Sequence, residues 1–227
     1  MPRVVTWDPI EEVNYKNDNE FVKEYLSPSS TSWTSWTHPH TDTQYSLTLV
    51  SIESLEPHNL ASCYRLIEET SGADYEASTA GWKPAHKMTE MKTPQLRYIL
   101  VKDPEGCVRG FTSFLPTYEE DEHGEDEPVV YCYEIHLKPD LQGTGLGKLL
   151  MTLLENVVSH APSIEKLMLT CFLRNEKALA FYKAFGFVKD PISPEPKKLR
   201  YGRESVPDYV ILSKVVKRKA LSSNTPK

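Results

Sequence analysis

The feature that most constrains the fold is a glycine-rich turn between a strand-like segment and a helix-like segment. The strand-like segment is VVYCYEIHL at residues 129–137, and leucines recur at helical spacing from Leu146 onward. The turn carries Gly143 and Gly145, with Gly147 just beyond. Glycine has no Cβ and can adopt positive φ, so this backbone can bend sharply and approach a ligand. Because a helix N-terminus carries unpaired N–H groups and a positive dipole end, the turn predicts an anion site.

A tight connection between strand and helix, with no ligand, would explain a Gly-x-Gly turn equally well. Two common phosphate motifs can be excluded. The chain contains no Gly-x-x-x-x-Gly-Lys-Ser/Thr, and its glycine spacing differs from the Gly-x-Gly-x-x-Gly of dinucleotide-binding folds. The turn by itself therefore leaves the chemistry of the anion open.

The rest of the chain alternates helix-like and strand-like runs, which is typical of an α/β or α+β domain. In chain order the pattern predicts a partial helix at 10–26, a strand at 45–49, a helix at 60–67, a hairpin at 96–115, strands at 129–137 and 166–172, helices from 146 and from 176, and a final strand at 208–216. We expect one domain at 45–216. We also expect a helix and a Ser/Thr-rich loop at 1–44 packing on or near it, and a basic, disordered tail at 217–227.

Charge and hydropathy exclude several classes of protein. The formal charge is −6, from 26 basic and 32 acidic residues, which disfavours direct binding of nucleic acid. No apolar run approaches the roughly 18 to 20 residues of a membrane-spanning helix, and the N-terminus lacks the apolar segment of a signal peptide. The four dispersed cysteines form no Cys-x-x-Cys pair, so we expect no metal site and reduced thiols.

Charge is unevenly distributed along the chain. Seven of the nine residues at 119–127 are acidic (EEDEHGEDE), whereas residues 214–227 carry five basic residues and no acidic one. A solvated loop is the ordinary explanation of an acidic run, and a cationic partner is the functional one. The KRK at 217–219 fits either a solubilising tail or a nuclear-import signal.

Two motifs in the second half of the chain resemble those of a known family. Residues 142–147, Gln-Gly-Thr-Gly-Leu-Gly, fit the Gln/Arg-x-x-Gly-x-Gly/Ala motif of the GCN5-related N-acetyltransferase (GNAT) superfamily. The superfamily's second signature, Asn-x-x-Ala-x-x-Phe-Tyr followed by Gly-Phe, is similar to Asn175, Ala178, Phe181, Tyr182, Gly186 and Phe187. The resemblance implies the GNAT fold, in which a mixed central β-sheet splays at the CoA site and is flanked by helices. It also implies acetyl-CoA as the co-substrate.

The chain resembles one branch of the superfamily more closely, the histone-specific N-terminal acetyltransferases called NatD. The likeness lies in Tyr-Cys-Tyr-Glu at 131–134 with the Ile-His-Leu that follows, in Gly-Leu-Gly-Lys at 145–148, in Met-Leu-Thr at 168–170, and in Tyr75-Glu76 and Gly81-Trp82. The chain departs from that branch at Ala80, where a tryptophan of the substrate pocket is expected, and in a longer acidic loop. The resemblance implies acetylation of the N-terminal α-amine of histones H-four and H-two-A, whose tails begin Ser-Gly-Arg-Gly.

The implied reaction is direct attack of the α-amine on acetyl-CoA in a ternary complex, without an acyl-enzyme. An α-ammonium has a pKa of about 7.7 to 8.0, so a modest general base suffices. Two other functions stay open: acetylation of lysine side chains or of a small amine by the same fold, and a non-catalytic module that binds histone tails. We expect a monomer in the cytoplasm and nucleus.

Four residues are candidates for catalysis. Glu134 is the first choice for the general base, directly or through a water, although an ion-paired carboxylate is the ordinary alternative. Strand alternation places Glu134 on the face of Cys132 and His136, and away from the neighbouring tyrosines unless a β-bulge re-aims them. His136 is a second candidate base. Tyr133 is expected to line the pocket or relay a proton, and Tyr182 to protonate the leaving thiolate, with core packing as its alternative.

Cofactor and substrate contacts follow from the same resemblance. The backbone of Ile135, His136 and Leu137 is expected to pair with the pantetheine of CoA. The pyrophosphate contacts are expected from Gln142, Gly143, Thr144, Gly145, Leu146, Gly147 and Lys148. Asn175 would bond the pantetheine, although it is also a good helix N-cap. The peptide site is expected to contain Tyr75, Glu119, Tyr131, Tyr133, Thr170 and Tyr209, with Glu119 pairing with an early arginine or lysine of the tail.

Overall fold

The computed structural model describes residues 8–26, 33–198 and 204–217. Its strands are β1 Ser35–Thr37, β2 Gln44–Ser51, β3 Arg97–Lys102, β4 Val108–Glu120, β5 Asp126–Leu137, β6 Lys166–Phe172, β7 Val188–Lys189, β8 Lys197–Lys198, β9 Glu204–Ser205 and β10 Tyr209–Val215. Eight of them form one sheet in the order β1-β2-β3-β4-β5-β6-β10-β7, and β8 pairs with β9 separately. Neighbouring strands are antiparallel except β5 and β6, which are parallel. The expected mixed sheet is confirmed.

Helices cover both faces of this sheet. They are α1 Pro9–Tyr15, α2 Asp18–Phe21, α3 Pro57–Ala77, α4 Pro84–Glu90, α5 Leu146–His160 and α6 Glu176–Phe185. Apolar side chains of α3 pack against one face, whereas those of α5, α6 and the N-terminal helices pack against the other. Within the described ranges, no helix has the length and apolar character needed to cross a membrane.

The two central strands separate half-way along their length. β5 and β6 pair from Val129 with Lys166 to Cys132 with Leu169, and their ladder ends there. β5 then continues to Leu137 alongside β4, and β6 continues to Phe172 alongside β10. The sheet is therefore splayed at its centre, and the gap opens toward the glycine-rich turn.

A β-bulge lies at the start of this gap. Ser113 of β4 pairs with Glu134, but the next residue, Phe114, pairs with Cys132, so Tyr133 is an extra residue on β5. A bulge of this kind bends the strand and increases its twist. The simple alternation of faces that the sequence predicts for β5 is therefore interrupted at Tyr133.

The N-terminal region differs from the single helix predicted at 10–26. Helix α1 ends at Tyr15, and a new helix begins after Asn17, whose side chain accepts a hydrogen bond from the Glu20 N–H while the Glu20 carboxylate accepts one from the Asn17 N–H. This capping box restarts the helix. A π-helical turn at Val22–Leu26 follows. The predicted Ser/Thr-rich loop also contains a strand, β1, while residues 27–32 of that loop lie outside the described residues.

Two predictions between the first helix and the hairpin need correction. The helix predicted at 60–67 runs from Pro57 to Ala77, so it is longer at both ends than predicted and includes Tyr75. Helix α4 was not predicted at all, because its sequence PAHKMTE is mostly polar and shows little amphipathic pattern. Both helices begin with proline in the first turn, where its missing N–H costs nothing.

Four of the seven acidic residues in the run at 119–127 lie on strands rather than in a loop. Glu119 and Glu120 end β4, and they pair with Glu127 and Asp126 of β5. The turn between the strands is closed by the Asp121 carboxylate, which accepts hydrogen bonds from the N–H groups of residues 123 and 125. The loop predicted at 119–127 is therefore a long hairpin with a short tip. The predicted tail at 217–227 lies outside the described residues apart from its first residue.

Candidate active site

A cavity of about 510 Å³ lies where β5 and β6 separate. The predicted site residues that line it are Tyr75, Glu119, Tyr131, Tyr133, Glu134, Ile135, His136, Thr170, Asn175, Tyr182 and Tyr209. It therefore brings together every residue predicted for catalysis or for the peptide. A second groove, of about 620 Å³, is lined mainly by apolar residues at the start of α3 and the end of α4, and none of the predicted site residues lies in it.

The remaining predicted cofactor residues are Leu137, at the end of β5, and residues 142–148, which form the turn and the start of α5. Gly143 and Gly145 have φ values of 74° and 91°, and Gly145 is the N-cap of α5 with no side-chain capping bond. The Gln142 amide donates to the Leu137 carbonyl at 3.1 Å, and the Thr144 hydroxyl donates to the Leu141 carbonyl at 2.6 Å. These side chains shape the turn and leave the first N–H groups of α5 unpaired by caps. An anion fits this arrangement.

Glu134 is buried and is held by Lys87 and His136. Its Oε1 lies 2.8 Å from Nζ of Lys87, and its Oε2 lies 2.5 Å from Nε2 of His136. The Tyr75 hydroxyl lies 3.5 Å from the same Oε1. An ion-paired carboxylate, the ordinary alternative for Glu134, is thus part of the geometry, and its role as general base stays a prediction.

The hydrogen-bond partners of His136 constrain which of its ring nitrogens donate. The Thr70 hydroxyl donates to the Leu66 carbonyl at 2.7 Å and lies 2.6 Å from Nδ1 of His136. Because a hydroxyl has one hydrogen, Nδ1 must donate to Thr70. The 2.5 Å contact between Nε2 of His136 and Glu134 then needs a second proton between its two atoms. Glu134 and His136, called here the Glu134–His136 pair, therefore hold one proton between them.

Electrostatics place the negative charge of the pair on Glu134. Burial alone would raise the pKa of Glu134, but the hydrogen bond and charge of His136 and the charge of Lys87 outweigh it and lower the pKa to about 2. Burial likewise disfavours the Lys87 ammonium, yet Glu134 and Glu90 hold the pKa of Lys87 above its usual range. The network is thus a set of mutually stabilised charges inside the protein.

Two tyrosines of β5, at and near the bulge, line the cavity. The rings of Tyr131 and Tyr133 lie 5.3 Å apart. The Tyr131 hydroxyl lies 2.6 Å from the Thr170 hydroxyl of β6, and burial raises the pKa of Tyr131 to about 12. Burial and the charge of Glu119 also raise the pKa of Tyr133. These hydroxyls therefore stay protonated at neutral pH and can donate hydrogen bonds.

Tyr182 lines the cavity from α6, and Asn175 lines it from the N-cap of the same helix. Burial raises the pKa of Tyr182 well above its usual value, so its hydroxyl also stays protonated. Tyr182 belongs at the same time to the apolar core, as its alternative predicted. The Asn175 carbonyl oxygen accepts a hydrogen bond from the Ala178 N–H at 3.1 Å, which is the N-cap role. Its amide NH₂ is not used by that bond, and the pantetheine contact stays a prediction.

Sequence reasoning missed four polar residues of the site. Lys87 and Glu90 line the cavity from α4, and Thr70 supports His136 from α3. A fourth polar residue, Ser71 of α3, also lines the cavity and was not predicted. The sequence offered one signal, because Lys87 stands four residues before the apolar Met91 and the two would share one face of a helix. The structure shows that Met91 is buried. That signal requires α4 to be recognised first.

Comparisons with known proteins agree on the fold. Residues 59–187, more than half of the 227-residue chain, match the profile of the family described as "Acetyltransferase (GNAT) family". N-alpha-acetyltransferase 40 of Saccharomyces cerevisiae is 33% identical over an alignment of 156 residues, and the match covers 60% of this chain and 54% of the yeast protein. The chain thus spans about half the length of this curated relative.

Solved structures of the same architecture are distant in sequence. Arabidopsis thaliana NAA60 in complex with a bisubstrate analogue superposes with a TM-score of 0.54 at 11% identity, over 75% of this chain and 99% of that one. The same plant protein in complex with acetyl-CoA gives a TM-score of 0.52 at 11% identity, again over 75% and 99% of the two chains. At this identity the likeness extends to the fold alone.

Proposed function

The chain belongs to the acetyltransferase (GNAT) family, and we propose that it transfers the acetyl group of acetyl-CoA to the N-terminal α-amine of histones H-four and H-two-A. The observation that carries the proposal is the cavity between β5 and β6, because it joins a buried carboxylate, several tyrosines and the glycine-rich turn. The yeast relative, named as an N-alpha-acetyltransferase, supports an α-amine as the acceptor. The NatD resemblance of residues 131–134 supports the histone substrate.

Acetyl-CoA would supply a thioester that the amine attacks directly. Beyond Cys132, the edge of β5 that faces β6 has no ladder partner. The backbone groups from Ile135 to Leu137 that are bonded neither to β4 nor to Gln142 can therefore pair with pantetheine amides. The N–H groups of the turn at 142–148 suit the pyrophosphate, and Lys148 adds positive charge there. Cofactor and acceptor would thus meet at the splayed centre of the sheet.

The Glu134–His136 pair is the proposed acceptor of the amine proton. An α-ammonium has a pKa of about 7.7 to 8.0, so little driving force is needed. Once the pair has lost the proton it holds to solvent, it can take up the proton of the amine, directly or through a water. Because the hydroxyl of Tyr182 stays protonated and lines the same cavity, it is the proposed donor to the leaving sulfur.

The acidic hairpin is the proposed recognition element for the tail. Glu119 stands opposite Glu127, and Glu120 stands opposite Asp126, so two like-charged pairs repel across the strands. Lys166 pairs with Glu127, but Glu119 faces the cavity and has its pKa raised by burial and by Glu120. An arginine or lysine of a Ser-Gly-Arg-Gly-Lys tail would relieve this repulsion.

We also propose that the protein works in the cytoplasm and nucleus. The described cysteines are free in the structure, and three of the four are buried. Reduced thiols of this kind are typical of those compartments. Fractionation of cells that express a tagged chain would test this proposal.

The substrate proposal is tested by the rate of CoA release with peptides of equal length. One begins Ser-Gly-Arg-Gly-Lys, and in a second the arginine is replaced by alanine. Loss of a charged hydrogen bond of about 1.5 to 3 kcal/mol predicts a kcat/KM at least about tenfold lower for the second peptide. Equal rates would contradict selection of histone tails, and no release with either peptide would contradict the proposed function.

A further inference from the structure

Lys87 reaches the centre of the candidate site from outside the sheet. It lies on the short helix α4, yet its side chain is only 7% exposed. Its ammonium lies 2.8 Å from Oε1 of Glu134, 2.6 Å from Oε1 of Glu90 and 4.8 Å from the ring centroid of Tyr75. Burial of a lysine ammonium costs free energy. An ion pair can form at the surface without this cost, so the burial of Lys87 needs another explanation.

We propose that Lys87 is a positioning residue, which fixes the carboxylate of Glu134 and lowers the proton affinity of the Glu134–His136 pair so that the pair can accept a proton near neutral pH. This inference rests on the proposed function, because it assigns Lys87 a task in the same proton transfer. Lys87 contacts the proton acceptor rather than the reacting atoms.

The geometry of Glu134 carries the first step of the argument. Each carboxylate oxygen has one strong partner, Lys87 on Oε1 and His136 on Oε2. Without Lys87, Oε1 would keep the Tyr75 hydroxyl at 3.5 Å as a long contact. The carboxylate could then rotate, and its charge would depend on the His136 proton alone. The pair would hold that proton more tightly.

The charges around the pair carry the second step. Four titratable side chains face the Glu134–His136 pair, one from each of four elements. They are Tyr75 of α3, Tyr98 of β3, Cys132 of β5 and Tyr182 of α6. Burial raises the pKa of each of these four groups, so all are neutral at neutral pH. Helix α4 contributes Lys87 and Glu90. Among the described residues packed around the pair, these two are therefore the fixed charges, one of each sign.

A purely structural role for Lys87 predicts different behaviour. In that case Lys87 would only hold α4 against Tyr75 and Glu134, and its loss would lower stability without moving the pH dependence of proton transfer. Removal of a cation next to a proton-binding pair raises the proton affinity of that pair, whereas removal of an anion lowers it. The pH at which kcat/KM falls on the acidic side of its profile, called here the acid limb, therefore distinguishes the two roles.

The experiment measures kcat/KM against pH for wild type, Lys87→Met, Lys87→Arg and Glu90→Gln. For Lys87→Met we expect at least about a tenfold loss at pH 7 and an acid limb about one pH unit higher. Lys87→Arg keeps the charge and should restore the wild-type limb. Glu90→Gln should move the limb to lower pH. Lys83→Met, an exposed lysine beside the same helix, is the matched control and should match wild type.

A second readout does not depend on the acetyl acceptor. NMR of labelled histidine follows the pH at which the Glu134–His136 pair releases its proton, and this pH should rise in Lys87→Met and fall in Glu90→Gln. If Lys87→Met fails to fold, Glu90→Gln alone tests the inference, because its acid limb and its NMR titration are both predicted to move to lower pH. Unmoved limbs and an unmoved NMR titration would overturn the inference. A wild-type protein that titrates as expected but acetylates no peptide would instead contradict the proposed function.

Discussion

The hydroxyl groups of Tyr131 and Thr170 lie 2.6 Å apart and bridge β5 and β6 at the point where the two strands separate. Tyr131 is within the paired part of β5, and Thr170 is the first residue of β6 beyond the last pair. The bridge thus fixes the width of the gap at its closed end. Both residues line the cavity, so this contact shapes the cavity wall.

Removal of this bridge should weaken peptide binding. We expect Tyr131→Phe and Thr170→Val each to raise the KM for a Ser-Gly-Arg-Gly-Lys peptide about three- to tenfold, since a neutral hydrogen bond contributes about 0.5 to 1.5 kcal/mol. The KM for acetyl-CoA should stay unchanged. In a double-mutant cycle, full additivity of the two effects would show that the hydroxyls do not act together.

Loss of the Glu134 carboxylate should abolish most of the catalysis. Glu134→Gln preserves the shape of the side chain but cannot hold the pair's proton, and general bases contribute about 10²- to 10⁴-fold. We expect kcat to fall by at least about a hundredfold, with CoA affinity unchanged in calorimetry. Activity within about twofold of wild type would remove Glu134 as the base and would leave His136 as the candidate.

Glycine at the turn should be required for cofactor binding. Gly145 has a φ of 91°, which costs a residue with a Cβ about 1 to 2 kcal/mol. We expect Gly145→Ala to weaken CoA binding at least about fivefold in a titration. Gly106→Ala is the matched control, because Gly106 has a φ of 82° in the β3–β4 turn and also has nothing within 4 Å of an added Cβ. Equal loss of CoA affinity in both variants would refute a specific role for the turn.

The acidic hairpin should select cationic tails at one position. We expect Glu119→Gln to raise the KM for a peptide with arginine at its third position at least about fivefold, because a charged hydrogen bond contributes about 1.5 to 3 kcal/mol. The KM for the alanine-substituted peptide should not change. Glu122→Gln, at the exposed tip of the hairpin, should leave both values unchanged. Equal increases of the KM in Glu119→Gln and Glu122→Gln would indicate a general electrostatic attraction by the hairpin rather than a direct contact of Glu119 with the arginine.

The N-terminal helices should be part of the domain core. Phe21 is fully buried and its ring centroid lies 5.9 Å from that of Phe114 on β4. We expect Phe21→Ala to lower the free energy of unfolding by about 3 to 5 kcal/mol, measured by urea denaturation. Val188→Ala, at a 65% exposed site, should change it by less than about 0.5 kcal/mol. A small effect of Phe21→Ala would show that the N-terminal helices fold apart from the sheet.

The sequence was most informative where local signals and chemistry coincide. Alternating and helical spacing predicted β5, β6, α5 and α6, and the glycines predicted the turn between β5 and α5. These elements carry most of the residues that line the cavity, which explains why residues far apart in the chain could be predicted to meet. The acidic run was harder to interpret, because strand ends rich in Glu and Asp contradict ordinary strand propensity.

Features that depend on distant contacts could not be predicted. The bulge at Tyr133 exists because β4 and β5 change register at Ser113 and Phe114, and no residue type in β5 requires it. Lys87 is buried because Glu134 and Glu90 compensate its charge, and a lysine in a polar sequence ordinarily indicates a solvent-exposed position. The network around Glu134 is therefore a property of the tertiary structure.

The most direct test of the proposed function is localisation of the acetyl group by mass spectrometry. Two synthetic peptides are incubated with the protein and acetyl-CoA, one beginning Ser-Gly-Arg-Gly-Lys with a free α-amine and the other its N-terminally blocked twin. We predict one acetyl group on the α-amine of the free peptide and none on the blocked peptide. Acetylation of lysine in both peptides, or no transfer to either, would contradict N-terminal acetylation of histone tails.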